Sequence, residues 1–380
     1  MFIKGISSGP NYPKIFRLRP IYDIIIQAIA CSDEVAFDDT KAKISWYSKK
    51  VGMGLEGEGS EGNRDNEENK VSKVSLNSIS NKKLKPPSTT GWASVFVTKD
   101  AIAYIIDRDH AGKNFQEILK FRPRYLAPPI ALSDALPSYR NYKNHENENK
   151  SNENNNIEIS GNFFERIAGS ATSSNSPKEK FANFINCLSA DCLTHARRRF
   201  VEAKEEDEVF CEKIISLIGK IYFNDDTIKK LKLSPIERMK FHQKESRPVL
   251  NKIMNLIQSA LEEELYQPNF EISKALNYWS EEFNKLTLFT RIPGVSLDTN
   301  FVERGVKAII RIRKQAPIFK TINGAARTGR ILTLIETARM QGLNPERYIA
   351  WAIKGIENKT NPHKLTPWEF LIHIQHSATS

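Results

Sequence analysis

The sequence predicts an α/β protein in which a mixed sheet with packed helices precedes a long helical region. Three observations carry this. Two β-rich runs, 92–97 and 102–107, are separated by Thr98-Lys99-Asp100-Ala101, the pattern of a hairpin. A helical stretch and a further strand follow, which suits a mixed sheet. Beyond residue 181, apolar residues recur at helical spacing with charges between them.

Taken in order, residues 1–19 are punctuated by Gly and Pro without periodicity and read as a poorly ordered arm. Residues 21–30 read as a short helix, 34–39 as a strand ending at an acidic pair, and 42–47 as a second strand. The stretch 52–90 is rich in Gly, Ser, Asn, Glu and Lys, a composition that buries too little apolar surface to offset ordering entropy, so a disordered insertion is expected there. A helix over 114–120 leads to a Pro-interrupted strand over 125–133. Residues 141–178 read as a low-complexity, disordered segment that opens with an Asn/Glu/Lys tract.

Helices are expected over 196–207, 208–223, 235–243, 249–266 and 272–288. They fill a helical insertion region, 179–290, because the 168 residues between Asp134 and Glu303 far exceed one crossover connection. The core therefore divides into a first part, 20–140, and a C-terminal part, 291–375. In the latter, Asp298 is placed to cap a helix ending before Pro317, and Gly342 closes a second helix over 328–341. Asn344-Pro345 and Thr366-Pro367 start two more.

With 56 Lys plus Arg against 45 Asp plus Glu, the net charge of +11 favours an anionic partner, although charge alone would equally serve solubility. Position points to nucleic acid: residues 297–330 hold eight Lys or Arg against Asp298 and Glu303 only. Cys31, Cys187, Cys192 and Cys211 lack the paired spacing of a structural zinc site and are too sparse for a disulfide scaffold, which fits a reducing cytosol. No signal peptide is visible, and the longest apolar stretches are too short to span a bilayer, so a soluble cytoplasmic protein is expected.

Three acidic stretches stand out: Phe37-Asp38-Asp39-Thr40, Leu132-Ser133-Asp134-Ala135, and Leu297-Asp298-Thr299-Asn300-Phe301-Val302-Glu303-Arg304. Each puts a carboxylate at or near the end of a short apolar run, an arrangement suited to a hard cation such as Mg²⁺. Asp38, Asp134 and Glu303 are the candidate ligands. In the third stretch, helical spacing sets Val302, Gly305, Val306, Ile309 and Ile310 on one face and Arg304, Lys307 and Arg311 on the other, with Glu303 between. Residue chemistry by itself favours a plain Glu303–Lys307 pair at i, i+4, serves a turn at Asp38-Asp39 equally well, and makes a helix cap at Asp134 commonplace. His195 with Arg197, Arg198 and Arg199 serves either a phosphate contact or a solvated basic helix.

The stretch LDTNFVERGVKAIIRIRKQAPIF, followed by GAARTGRILTLIETARMQGLNPERYI, resembles the C-terminal catalytic signature of bacterial DDE transposases of the insertion sequence 66 family. CLTHARRRF at 192–200 resembles that family's His-Ala-Arg-Arg segment, and FDDTKAKI its first acidic motif. The likeness covers most of 22–371 apart from the two polar insertions. It implies a ribonuclease-H-like fold with an all-α insertion between the second and third acidic motifs, and DNA strand cleavage and transfer. Asp38, Asp134 and Glu303 would be catalytic and hold two Mg²⁺ ions, with Mn²⁺ able to substitute. DNA would be contacted by Arg304, Lys307, Arg311, Lys314, His195 and Arg198. The implied partners are DNA at element ends and target, further copies of the chain on that DNA, and accessory proteins of the element, in the cytoplasm at the nucleoid. Two departures matter. Leu-Ser-Asp-Ala stands where an Asp-Gly-Tyr form is expected, and only 37 residues precede Asp38, where related transposases have a long DNA-recognition region. A truncated copy, or end recognition by another polypeptide, would account for the latter; a non-catalytic nucleic-acid-binding remnant is the alternative function.

Overall fold

A five-stranded sheet forms around β1 (Glu34–Lys43) in a computed structural model that describes residues 14–44, 90–134, 187–315 and 318–379. β2 (Thr90–Val97) pairs antiparallel with β1, and β3 (Ile102–Asp107) returns antiparallel on β2 through the expected turn, closed by Thr98 N–H donating to Ala101 O at 2.9 Å. On the other side β4 (Ile130–Ser133) and β5 (Leu188–Asp191) add in parallel, giving the order β3-β2-β1-β4-β5. The fold is thus mixed α/β. β1 is one strand where sequence suggests two, because its pairing with β2 continues unbroken from Ala36↔Val97 to Lys43↔Thr90. Only the last four residues of the strand expected over 125–133 are extended, and β5 has no counterpart among the expected strands.

Side chains alternate across β1: Val35 and Phe37 enter one core, Ala36 and Ala42 the other. On the Phe37 face lie α1 (Arg19–Cys31) and α2 (Ala111–Leu119), with Phe37 stacked on Phe115 at 4.8 Å between ring centroids. Residues 14–18, assigned by sequence to the poorly ordered arm, form a 3-10 helix instead, because Leu18 is 1% exposed and Lys14 pairs with Glu357 at 2.7 Å. The expected disordered stretches 52–90 and 141–178 lie outside the described residues, save Thr90, which opens β2.

The helical region holds α3 (Leu193–Glu202), α4 (Glu208–Leu231), α5 (Pro235–Phe241), α6 (Arg247–Glu262) and α7 (Glu271–Leu286); all but α5, which has no buried residue, pack into the Ala36-side core. α4 continues past the expected end at residue 223 because Asp225 and Ile228 are buried. Asp225 meets Lys229 at 2.7 Å, Arg238 at 3.3 Å and His242 at 3.5 Å. Burial works against its charge, but these partners outweigh it and hold the carboxyl down to about 2. Next come α8 (Asn300–Gln315), α9 (Ile322–Met340), α10 (Pro345–Glu357) and α11 (Pro367–Thr379). The last three carry the boundary signals read from sequence: Gly342 at φ 72° ends α9, and Asn344 accepts from the amides of Glu346 and Arg347.

α9 solves a problem the sheet creates. β3 is an edge strand, and its outward amides and carbonyls would otherwise be open to pairing. Thr333 Oγ1 accepts Tyr104 N–H at 2.9 Å, while Thr337 Oγ1 accepts Ile102 N–H at 3.3 Å and donates to Ile102 O at 2.9 Å. Gly329, one turn earlier, lets the helix approach: a Cβ there would stand 2.7 Å from Tyr104 O. Leu332 then enters one core and Leu334 the other, so α9 straddles the sheet edge. Thr333→Val should destabilise the protein by about 1–3 kcal/mol in a denaturant titration, because a buried amide loses its acceptor while side-chain shape is kept. Unchanged stability would show that the hydroxyl is not holding the strand edge.

Candidate active site

β1 presents Asp38 on the Ala36 face, the side on which α8 packs, and sets it opposite Val95 of β2. Its Oδ1 accepts the Asp39 amide at 2.7 Å. Asp39 faces the other way: its Oδ2 takes the Ala111 amide at 3.0 Å and His110 Nδ1 at 3.0 Å, anchoring the start of α2. Asp134 directly follows β4 and is half-buried. Because Ala36 pairs with Leu132, Asp38 and Asp134 each stand two residues beyond the same rung of adjacent parallel strands.

α8 bears the third candidate carboxylate, Glu303. Val302, Gly305, Val306, Ala308, Ile309 and Ile312 are its buried residues. Ile310, assigned by sequence to the packing face, is instead 37% exposed, since the stripe closes through Ile309 and Ile312. Asp298, expected as the cap, lies two residues before the helix and accepts the Asn300 amide at 3.1 Å, whereas Thr299 O takes the amides of Val302 and Glu303. A Cβ at Gly305 would lie 2.7 Å from Ile102 Cδ1 and 2.9 Å from Val95 Cγ1, so the helix touches the sheet most closely two residues after Glu303. At its other end Arg313 donates to Thr40 Oγ1 at 2.8 Å, two residues along β1 from Asp38. Sequence reasoning missed Arg313; the Thr in Asp-Asp-Thr was its only signal.

Glu303 is 36% exposed in its side chain, and its nearest cation is Arg198 of α3, Nη2 to Oε1 at 3.9 Å. The donor chemistry of Asp38, Asp134 and Glu303, three carboxylates, suits a hard divalent cation. Among the described residues, however, no group of three His, Cys, Asp or Glu side chains stands close enough to hold a metal ion. Cys192, between β5 and α3, is not a ligand candidate: burial pushes its thiol up, and its sulfur accepts the Thr299 amide at 3.3 Å.

The basic residues read from sequence do not form one cluster. Arg304, Lys307, Arg311 and Lys314 are exposed along α8. Arg304 lines a cavity of about 1060 Å³ shared with Lys99, Arg238 and Arg339, whose acidic wall includes Glu34 and Glu336. Within α3, Arg198 turns to Glu303, Arg199 lies 4.0 Å over the Tyr278 ring, and His195 is half-buried with Nδ1 enclosed and lacking a hydrogen-bond partner. No described helix is long and apolar enough to cross a membrane.

Comparison with known proteins bears on the part of the chain that holds α3 and Glu303. An uncharacterized protein, y4jD, of Sinorhizobium fredii (strain NBRC 101917 / NGR234) is 25% identical over 186 residues, 48% of this chain and 36% of the relative. A second from the same strain, y4hP, is 25% identical over 222 residues, 55% of this chain and 38% of the relative. The chain therefore matches little more than a third of the length of either relative. No solved structure matches. Residues 179–327, which span β5, the helical region, α8 and the first turn of α9, match the family model described as Transposase IS66 family.

Proposed function

We propose that the chain is the catalytic part of a DNA transposase that cuts and joins strands at the ends of an insertion element. One observation carries this reading: Asp38 on β1 and Asp134 just past β4 each lie two residues beyond the last pair, Ala36–Leu132, of the parallel ladder, and α8 packs on the Asp38 side of the sheet with Glu303 in its first turn. Three antiparallel strands followed by two parallel additions, with α8 crossing the sheet, support a ribonuclease-H-like fold. The family match over 179–327 supports DNA as the partner. Expected with it are copies of the chain assembled on element ends and target, accessory proteins of the element, and a place in the cytoplasm at the nucleoid.

In this reading Asp38, Asp134 and Glu303 provide oxygen donors for two Mg²⁺ ions, with Mn²⁺ able to substitute. Such a pair, when bound, lowers the pKa of an attacking water or 3′-hydroxyl and stabilises the leaving oxygen. The chain's own work is positional. The β1–β4 ladder, which ends at Ala36–Leu132, holds together the strands that lead to the two aspartates, while Gly305 and Arg313 fix the helix that bears Glu303. Arg304, Lys307, Arg311 and Lys314 lie along the outer side of α8 and neutralise backbone phosphates without reading bases. The second reading, a nucleic-acid-binding remnant without cleavage, draws on the lack of a ready three-ligand group among the described residues.

Cleavage assays on DNA carrying the element's ends separate the two. Asp38→Asn, Asp134→Asn and Glu303→Gln should each lower Mg²⁺- or Mn²⁺-supported nicking by more than about a hundredfold, since loss of mere outer-shell support already costs up to that factor. DNA affinity should hold, and Ca²⁺ should permit binding with little chemistry. Full activity in the three variants would reject the mechanism, and an inactive parent that still binds DNA would favour the remnant.

Replacing Arg304, Lys307 and Arg311 together by Ala should weaken binding to all sequences alike. The salt dependence of affinity should fall by roughly one unit of slope per lost phosphate contact. An unaltered slope would show that this side of α8 does not meet DNA.

A further inference from the structure

α3 and α8 are joined at their starts. Leu193 N–H donates to Leu297 O at 2.9 Å, Thr299 N–H to Cys192 Sγ at 3.3 Å, and the Thr194 and Tyr222 hydroxyls meet at 2.7 Å, pinning the joint to α4. The backbones that carry Arg198 and Glu303 are thereby held in fixed relation, and only the two side chains are left to move. Neighbouring groups are already committed: Arg199 lies on Tyr278, and Glu303 N–H is bound to Thr299 O at 3.2 Å. Arg198 and Glu303 face each other at 3.9 Å, too far for a hydrogen bond, with side chains 52% and 36% exposed.

We propose that Arg198 is a positioning residue that draws the Glu303 carboxylate toward α3 until a nucleic-acid phosphate takes over the guanidinium, so that the three-carboxylate set is completed only with DNA in place. The proposal rests on the transposase reading. A loose, partly solvated ion pair is easily exchanged. A phosphate offers the planar guanidinium two parallel hydrogen bonds, which the carboxylate at its present distance does not. Phosphate arrival and release of Glu303 are then one event. Arg198 accordingly has a role apart from the exposed cations of α8: it meets DNA at the edge of the chemistry and answers to the acid that the chemistry requires.

The test measures Mn²⁺ binding to the full chain without DNA, from the loss of the free-Mn²⁺ resonance signal, alongside melting curves that exclude misfolding. Arg198→Gln should tighten Mn²⁺ binding about two- to fivefold, the scale of an exposed ion pair. The same change in a Glu303→Gln background should give no gain. In EDTA, Arg198→Gln should weaken duplex binding and lower its salt slope by roughly one unit. Unchanged Mn²⁺ affinity in Arg198→Gln would overturn the proposal, as would an equal gain with Glu303 already removed, which would mean a bare charge effect. An unchanged salt slope would overturn the exchange with phosphate. Mn²⁺ binding indifferent to both Asp38→Asn and Glu303→Gln would instead reject the metal site on which the proposal rests.

Discussion

At Gly305 the backbone of α8 lies against Val95 and Ile102 so closely that a single added carbon would stand within 2.9 Å of both side chains, and the Tyr104 hydroxyl donates to Gly305 O at 3.1 Å. Val95 is the ladder partner of Asp38. The approach of helix to sheet is therefore fixed beside Asp38, two residues after Glu303. A larger residue would lift the helix and carry Glu303 away with it. The Arg313–Thr40 bond holds the far end over the same strand, and between these two points the helix has little freedom to roll.

The helical region bears on this arrangement through α3. Trp279 of α7 donates from Nε1 to Ala196 O at 3.3 Å, Tyr278 of α7 carries the Arg199 guanidinium, and Tyr222 of α4 meets Thr194. Burial pushes the Tyr222 and Tyr278 hydroxyls well above their usual range, so both stay neutral. Helices interposed between the second and third carboxylates thus press on the turn from β5 into α3, where the approach to Glu303 begins.

Much of the framework was legible in the residues because its signals are local. The β2–β3 turn, the cap at Asn344, the stop at Gly342 and the apolar stripe of α8 follow from chemistry within a few residues. What escaped depends on contacts far apart in sequence. β5 is four residues long and extended only because β4 lies beside it. The roles of Thr333 and Thr337 depend on β3, distant in sequence, which supplies the groups their hydroxyls bond. Of the proposed site, the candidate acids and the basic residues of α8 come from sequence motifs, whereas the Arg198–Glu303 and Arg313–Thr40 partnerships could not be read from them.

The most direct test of a shared carboxylate site is anomalous diffraction from crystals of the chain grown with Mn²⁺ and a duplex carrying the element's end. The account predicts manganese peaks coordinated by Asp38, Asp134 and Glu303 together, with Arg198 turned to a phosphate. Manganese bound elsewhere, or Glu303 remaining on Arg198 with DNA present and no metal between the aspartates, would contradict it.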